Sequence, residues 1–196
     1  VKTVGVLALQ GDFSAHVKAM EKAGARSREV RTVAGISQCD ALILPGGEST
    51  TMLKLLQMED LMDPLRRFGE RKPIFGTCAG AILLSRIVLH PTQPSLKLID
   101  TTVERNAYGR QIDSRIVTIP TEEGQVEAVF IRAPIIRRTG PKVRVLASYD
   151  GNPVWIEDGM HMVTTFHPEL TGDNRVHRRF LQNICGMEAR PMVVAS

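Results

Sequence analysis

A doubly wound, mostly parallel α/β sheet with flanking helices is the fold class this 196-residue sequence predicts, on three observations. Short apolar strands alternate with helical patterns through the first half, each pair joined by a turn that contains glycine. The chain is 43% hydrophobic but only 5% aromatic, so aliphatic side chains carry the apolar mass, as suits a sheet buried on both faces. After about residue 97 strands follow one another with few helices, which adds antiparallel strands in the C-terminal half. Residues 1–196 read as one domain, without internal repeat, low-complexity segment or linker.

Thr3 to Leu9 is a β-branched apolar run that meets Gln10-Gly11-Asp12. Asp12 opens a helical pattern with Val17, Met20 and Ala23 on one side, and Gly24 stops it. The second unit is Ala41 to Leu44, broken by Pro45-Gly46-Gly47, with Ser49 or Thr50 expected to cap a helix carrying Met52, Leu53 and Leu56. The third is Pro73-Ile74-Phe75, the turn Gly76-Thr77-Cys78-Ala79-Gly80, and a helix-like run from Ala81 to Val88. Strands are then expected at Leu98 to Val103, Arg115 to Ile119, Ala128 to Ile131, Val143 to Ser148, Val154 to Glu157 and Met162 to Phe166. Gly151-Asn152 and Asp158-Gly159 read as turns. A last helix begins near Asp173, carries Val176, Phe180 and Ile184 in register, and ends at Gly186. Residues 188–196 carry no motif.

Twenty-five basic against 21 acidic residues give a formal charge of +4, too slight for a nucleic-acid binder, and no basic stripe is interleaved with aromatics. Arg137-Arg138 with Lys142 and Arg144, and the Arg175 to Arg179 run, read as solvated faces. Three cysteines, widely spaced and without a C-x-x-C, oppose both a disulfide framework and a zinc site. The opening apolar run is too short for a signal sequence and no stretch reaches membrane-spanning length, so a soluble cytoplasmic protein is expected.

In a parallel sheet the loops at the carboxyl ends of the strands share one crevice. Gln10-Gly11, Pro45-Gly46-Gly47 and Gly76-Thr77-Cys78 should therefore lie together. Gly76-Thr77-Cys78-Ala79-Gly80 has the spacing of a nucleophile elbow, G-x-S-x-G, with cysteine in place of serine. Helical N–H groups beside the cysteine favour its thiolate and can bind an oxyanion. A buried structural cysteine at a strand–helix turn has the same local pattern. A nucleophile needs a base, and the base an orienting group. His16 and His177 fall in helices among polar neighbours and read as surface or capping residues, while His90 and His161 read as incidental. His167 ends an apolar strand, is stiffened by Pro168 and is followed by Glu169, which in extended chain points the same way and can hold one imidazole nitrogen. With the elbow in the same chain, this set favours Cys78 as nucleophile. Gly46-Gly47 can aim N–H groups at a developing oxyanion, and Glu48 offers a carboxylate for a substrate ammonium.

The elbow, the Pro-Gly-Gly loop and the late His-Pro-Glu resemble the class I, triad-type glutamine amidotransferases. Further blocks sharpen the resemblance: Leu9-Gln10-Gly11, Leu44 to Thr51, Val103-Glu104-Arg105-Asn106, Tyr108-Gly109-Arg110-Gln111, Phe130-Ile131-Arg132-Ala133-Pro134 and Phe166 to Leu170. Together they look like the glutaminase subunits of pyridoxal 5'-phosphate synthases over residues 9–170. The resemblance implies a class I amidotransferase-like fold and hydrolysis of L-glutamine to L-glutamate and ammonia through a thioester on Cys78. It implies His167 as the proton carrier, Glu169 as its orienting group, and the N–H groups of Gly47 and Ala79 as the oxyanion hole. Glutamine contacts carry over to Gly47, Glu48, Ser49, Arg105, Ile131 and Arg132, and Gln10 to positioning of the oxyanion loop. Arg105 also suits the substrate carboxylate on chemical grounds, through its paired donors. The resemblance implies as partner a synthase subunit that receives the ammonia in a heteromeric complex, low glutaminase activity without it, and neither cofactor nor metal. The alternatives are a glutaminase serving another synthase, which the Glu104-Arg105-Asn106 and Phe130-Ile131-Arg132 blocks oppose, and a non-enzymatic stress protein with a reactive cysteine, which leaves His167-Pro168-Glu169 unused. A catalytically silent subunit is opposed by the intact triad.

Overall fold

The computed structural model describes residues 1–106 and 114–184. In chain order the first half comprises β1 (Thr3–Leu7), α1 (Phe13–Ala23), β2 (Arg26–Val30), α2 (Val33–Ser37), β3 (Ala41–Leu44), α3 (Ser49–Met58), α4 (Met62–Gly69), β4 (Ile74–Thr77) and α5 (Ala79–Leu84). There follow β5 (Ser85–Leu89), β6 (Ile99–Glu104), β7 (Ser114–Thr121), β8 (Gly124–Ile131), β9 (Ile135–Thr139), β10 (Arg144–Tyr149), β11 (Asn152–Asp158) and β12 (His161–Thr164). A 3-10 turn at Pro168–Leu170, α6 (Arg175–Arg179) and a π-helical turn at Phe180–Ile184 complete the described chain. The Tyr108 to Gln111 block, Cys185, the stop at Gly186 and residues 188–196 lie outside the described residues.

The central sheet has the order β10-β11-β12-β4-β3-β1-β2. Its core β12-β4-β3-β1-β2 is parallel throughout, while β10, β11 and β12 form an antiparallel meander on one edge. Side chains alternate across the pleat. Leu42, Leu44 and Ile74 enter a core shared with α3, α4 and α5, whereas Ala41, Ile43, Phe75, Val4 and Val6 enter a second core shared with α1 and α6. Both faces are thus buried, as the aliphatic composition predicts. A sheet of β5, β6 and β9 closes over the first core. The β7–β8 hairpin closes over the second, with the Phe130 ring stacked on Tyr149 and edge-on to Phe166. No helix among the described residues is long and apolar enough to cross a membrane.

Several expected boundaries move, each for a local reason. The run from Ala81 to Val88 is not one helix: α5 ends at Leu84 and Ser85–Leu89 is a strand. The returning chain takes the carbonyls at the end of α5, Leu96 N–H bonding Leu83 at 2.7 Å and Leu98 N–H bonding Leu84 at 2.9 Å. The cap of α3 is Glu48, not Ser49 or Thr50; its carboxylate accepts from the N–H groups of Thr50 and Thr51. The hairpin between β10 and β11 turns on Asp150-Gly151, with φ of 51° and 75°, one residue earlier than expected. β2 escapes a search for apolar runs because Arg26, Ser27, Arg28 and Glu29 lie on the sheet edge.

Gly80 is where α5 meets β3. A Cβ built on it would lie 2.0 Å from the Leu44 carbonyl oxygen, so only glycine permits this approach. Gly80→Ala is expected to destabilise the fold by about 3 kcal/mol, the upper end for an overpacked core. Urea unfolding measures this; an unchanged midpoint would mean that the helix shifts freely against the strand.

Candidate active site

Four parallel strands deliver the site. Gln10 follows β1, Gly46-Gly47 follows β3, Cys78 follows β4 and His167 lies just beyond β12. Because these strands run the same way, their carboxyl ends share one side of the sheet, with β4 between β3 and β12.

Cys78 is the hinge between β4 and α5. Its φ of 47° and ψ of −103° are unusual for any residue with a Cβ, a strain on the order of 1–3 kcal/mol that persists only where surroundings enforce it. Here its N–H bonds the Thr164 carbonyl at 2.9 Å and its own carbonyl accepts from Ile82 at 3.2 Å. Ala79, the first residue of α5, follows directly, so the helix starts at the sulfur. Sγ lies 3.9 Å from the Ile131 carbonyl oxygen.

His167 hydrogen-bonds Cys78 on one side and Glu169 on the other. The Glu169 contact is Nδ1 to Oε1 at 2.8 Å, which leaves Nε2 to the sulfur. The geometry differs from the extended segment expected: Glu169 lies in the 3-10 turn Pro168–Leu170, and that turn folds its carboxylate back to the ring. The His167 N–H is fixed to Val129 of β8 at 2.8 Å. Burial alone would lower the His167 pKa, but the hydrogen bonds and charges of Cys78 and Glu169 outweigh it and raise the value to about 10. Burial likewise opposes ionisation of Glu169, yet His16 and His167 hold its pKa below the usual carboxylate value. An imidazole fixed between a buried carboxylate and a thiol is an arrangement that activates sulfur as a nucleophile.

The Gly46-Gly47 loop packs directly on this set. A Cβ on Gly46 would lie 2.3 Å from the His167 ring, and Gly47 has a φ of +142°. A Cβ on Gly47 would meet the Gln10 amide oxygen at 2.5 Å, and that oxygen accepts the Glu48 N–H at 3.0 Å. Gln10 therefore braces the loop from β1. The Glu48 carboxylate accepts from the Thr50 and Thr51 N–H groups and the Thr51 hydroxyl. Burial is outweighed by these bonds and the pKa falls to about 2, so Glu48 is ionised but largely committed to α3. This differs from the free carboxylate expected from the sequence.

A cavity of about 230 Å³ opens onto Cys78 and His167 and is walled by Gly47, Glu48, Ser49, Arg105, Ile131 and Arg132. Arg105 Nη2 donates to the Thr50 hydroxyl at 2.5 Å and lies 3.8 Å from Glu48 Oε1. Its Nε is buried without a partner among the described residues. Gln10, Ala79 and Glu169 support this wall from behind. Ile82 and Asn106 also line the cavity, and Gln93 reaches Ser49 at 3.5 Å from a loop read as incidental in the sequence. Asn106 adjoined Arg105 in a motif already quoted; nothing local marks Ile82 or Gln93. No cluster of three or more His, Cys, Asp or Glu among the described residues is placed to hold a metal.

His16 and His177 are not surface or capping residues: both are fully buried behind Glu169. The polar neighbours in sequence misled because burial follows the helical period. His16, Met20 and Ala23 share the buried face of α1.

A model of the SNO glutamine amidotransferase family matches residues 6–186. The pyridoxal 5'-phosphate synthase subunit PdxT of Solibacter usitatus is 58% identical over 192 residues, covering 94% of this chain and 100% of that protein. The PdxT subunit of Thermotoga maritima is 45% identical, covering 92% and 98%. A crystal structure described as a glutamine amidotransferase superposes with a TM-score of 0.87 at 45% identity, covering 94% of this chain and 99% of that one. A GMP synthase subunit from Thermoplasma acidophilum, at 16% identity and a TM-score of 0.68, shares the fold.

Proposed function

Because the chain belongs to the SNO glutamine amidotransferase family, we propose that it hydrolyses L-glutamine to L-glutamate and ammonia as the glutaminase subunit of a pyridoxal 5'-phosphate synthase, on one domain spanning residues 1–196. The observation that carries this reading is His167, bonded to both Cys78 and Glu169 at the wall of a cavity sized for a small polar molecule. Cys78 sulfur attacks the side-chain amide carbon, and the carbonyl oxygen takes up the electron pair as an oxyanion. The N–H groups of Gly47 and Ala79 receive that charge. The intermediate collapses with cleavage of the C–N bond, and His167 gives its proton to the departing ammonia. Water then loses a proton to His167 and attacks the thioester; the C–S bond breaks, releasing glutamate and restoring Cys78.

Arg105 binds the substrate α-carboxylate. Its buried, unpartnered Nε supports this, because a guanidinium offers paired donors to a carboxylate. The ammonium is met by Glu48 together with carbonyl oxygens of the Ile131–Arg132 segment, and Ser49 closes the cavity beside them. Gln10 holds the Gly47 loop in place. Ammonia released to water is protonated and lost, so the chain works docked on a synthase subunit that consumes it, as the PdxT relatives' designation as synthase subunits supports. The unpaired thiols of Cys39 and Cys78 support a cytoplasmic setting.

The test is steady-state assay of the chain with L-glutamine, alone and with the purified synthase subunit. Equimolar glutamate and ammonia are expected, slowly alone and at least about tenfold faster in the complex, a gain within what ordering one oxyanion donor supplies. No hydrolysis in the complex would overturn the reading.

A further inference from the structure

Behind the triad lies a second, wholly buried set of groups that the mechanism above does not use. His16 of α1 places Nε2 3.3 Å from Glu169 Oε2 and 3.1 Å from the Thr77 hydroxyl. Its Nδ1 lies 3.0 Å from Nε2 of His177 on α6. His16 and His177 have no exposed surface. We propose that His16, backed by His177, is a positioning residue that holds Glu169 and through it orients His167 toward Cys78. This rests on the glutaminase reading of the same site.

The hydrogen positions follow from the carboxylate. Glu169 is ionised and can only accept, and Oε2 has no hydrogen bond of good geometry other than what His16 offers. If His16 carried its proton on Nδ1, the Nε2 lone pair would face the Glu169 charge in a site with no water to screen it. The favoured tautomer therefore has the proton on Nε2, shared between Glu169 and Thr77. His16 Nδ1 then accepts, so His177 donates from Nε2, and its Nδ1, which has no hydrogen-bond partner, remains a bare acceptor. Burial keeps both rings neutral: the His16 pKa is lowered, and that of His177 falls to about 3. The charged groups facing the set are Glu169 and His167 from the segment after β12 and Asp12 before α1, with Lys18 and Lys22 of α1 lining a cavity on the far side of Glu169. One proton order thus runs from His177 through His16 and Glu169 to His167 and leaves the His167 Nε2 directed at the sulfur. Histidines one step behind a reactive group fix its tautomer and angle in this way.

The test compares His16→Phe, which keeps a ring but loses the donor, with His16→Gln, whose amide nitrogen can replace Nε2. Glutaminase kcat and KM are measured in the synthase complex, and the rate of Cys78 alkylation by iodoacetamide is followed against pH in the same preparations. His16→Phe is expected to lower kcat by about 10–100-fold with KM within about twofold, the loss typical of an outer positioning group. The alkaline limit of its activity should move to lower pH, because a poorly held Glu169 stabilises the His167 imidazolium less. His16→Gln should recover most of kcat, and His177→Phe should lose only about two- to fivefold, since it acts through His16. Wild-type kcat and pH profile in folded His16→Phe, or a His16→Gln no better than His16→Phe, would overturn the proposal. If these variants do not fold, nitrogen-15 NMR of the wild-type protein decides: neutral His16 with its proton on Nε2 is expected, and the Nδ1–H tautomer or an imidazolium near neutral pH overturns it. A wild-type protein that hydrolyses no glutamine but alkylates rapidly would defeat the glutaminase reading and leave the positioning role standing.

Discussion

Cys78→Ala is expected to lower glutamine hydrolysis by about four to six orders of magnitude, the scale on which a covalent catalyst loses its nucleophile. Nothing else in the cavity can replace the sulfur: the nearest polar side chains are His167, ionised or hydrogen-bonded to Glu169, and Ser49, which is turned toward Gln93. The fold should survive, because alanine fills most of the same space and the Cys78 backbone bonds to Thr164 and Ile82 do not use the side chain. Alanine also retains a Cβ, so the strained φ of 47° and its burden on stability remain as they were. Unchanged circular dichroism and melting, together with retained binding of glutamine, would separate loss of chemistry from loss of structure. Hydrolysis by this variant at even a hundredth of the normal rate would show that another group attacks the amide.

The second large effect is at His167. His167→Gln should reduce kcat by about three to four orders of magnitude, because one residue both takes and returns the proton. Glutamine can still bond Glu169 but cannot carry a proton. Its pH signature follows from the raised pKa. In the folded protein the imidazolium persists up to about pH 10, so the protonated form that supplies ammonia's proton is present through the neutral range. It is lost as pH rises through that value, and wild-type activity should fall there. The same sign governs stability: the charged ring's contribution is fully present below its ordinary value of 6.5 and disappears as pH approaches 10. In the variant this alkaline limb should vanish. Alkylation of Cys78 near neutral pH should also slow, since the sulfur has lost the cation beside it. An unaltered alkylation rate would mean that His167 does not interact with the thiol in solution.

What was readable in the sequence was local. Gly76-Thr77-Cys78-Ala79-Gly80 announces its geometry because a sharp strand-to-helix turn needs glycine on both sides, and every contact that shapes it lies within a few residues or in the adjoining strand. The repeated strand–turn–helix units reveal the parallel sheet for the same reason. Glu169 could be paired with His167 by proximity alone, although the contact is made by a 3-10 turn and not by the extended chain that proximity suggested. Glu48 shows the limit of that approach. Its charge was legible, but its use as the cap of α3 depends on where the helix starts, and serine and threonine competed for that role. β2 hid because an edge strand can be polar. His16 and His177 lie 161 residues apart and meet only because α1 and α6 pack on the same face of the sheet. Yet the spacing His16, Met20, Ala23 already placed one of them on the buried side. Weighing helical period above neighbour polarity would have placed His16 correctly.

The account turns on Cys78 forming a covalent bond to the substrate. The direct measurement is acid quenching of the complex during turnover of L-glutamine, followed by mass spectrometry of the peptide that contains Cys78. The expected result is a glutamyl adduct on that cysteine, absent in Cys78→Ala, labile to hydroxylamine, and accumulating further in a variant slowed in thioester hydrolysis. Turnover of glutamine with Cys78 unmodified throughout, or an adduct borne by Cys39 instead, would contradict it.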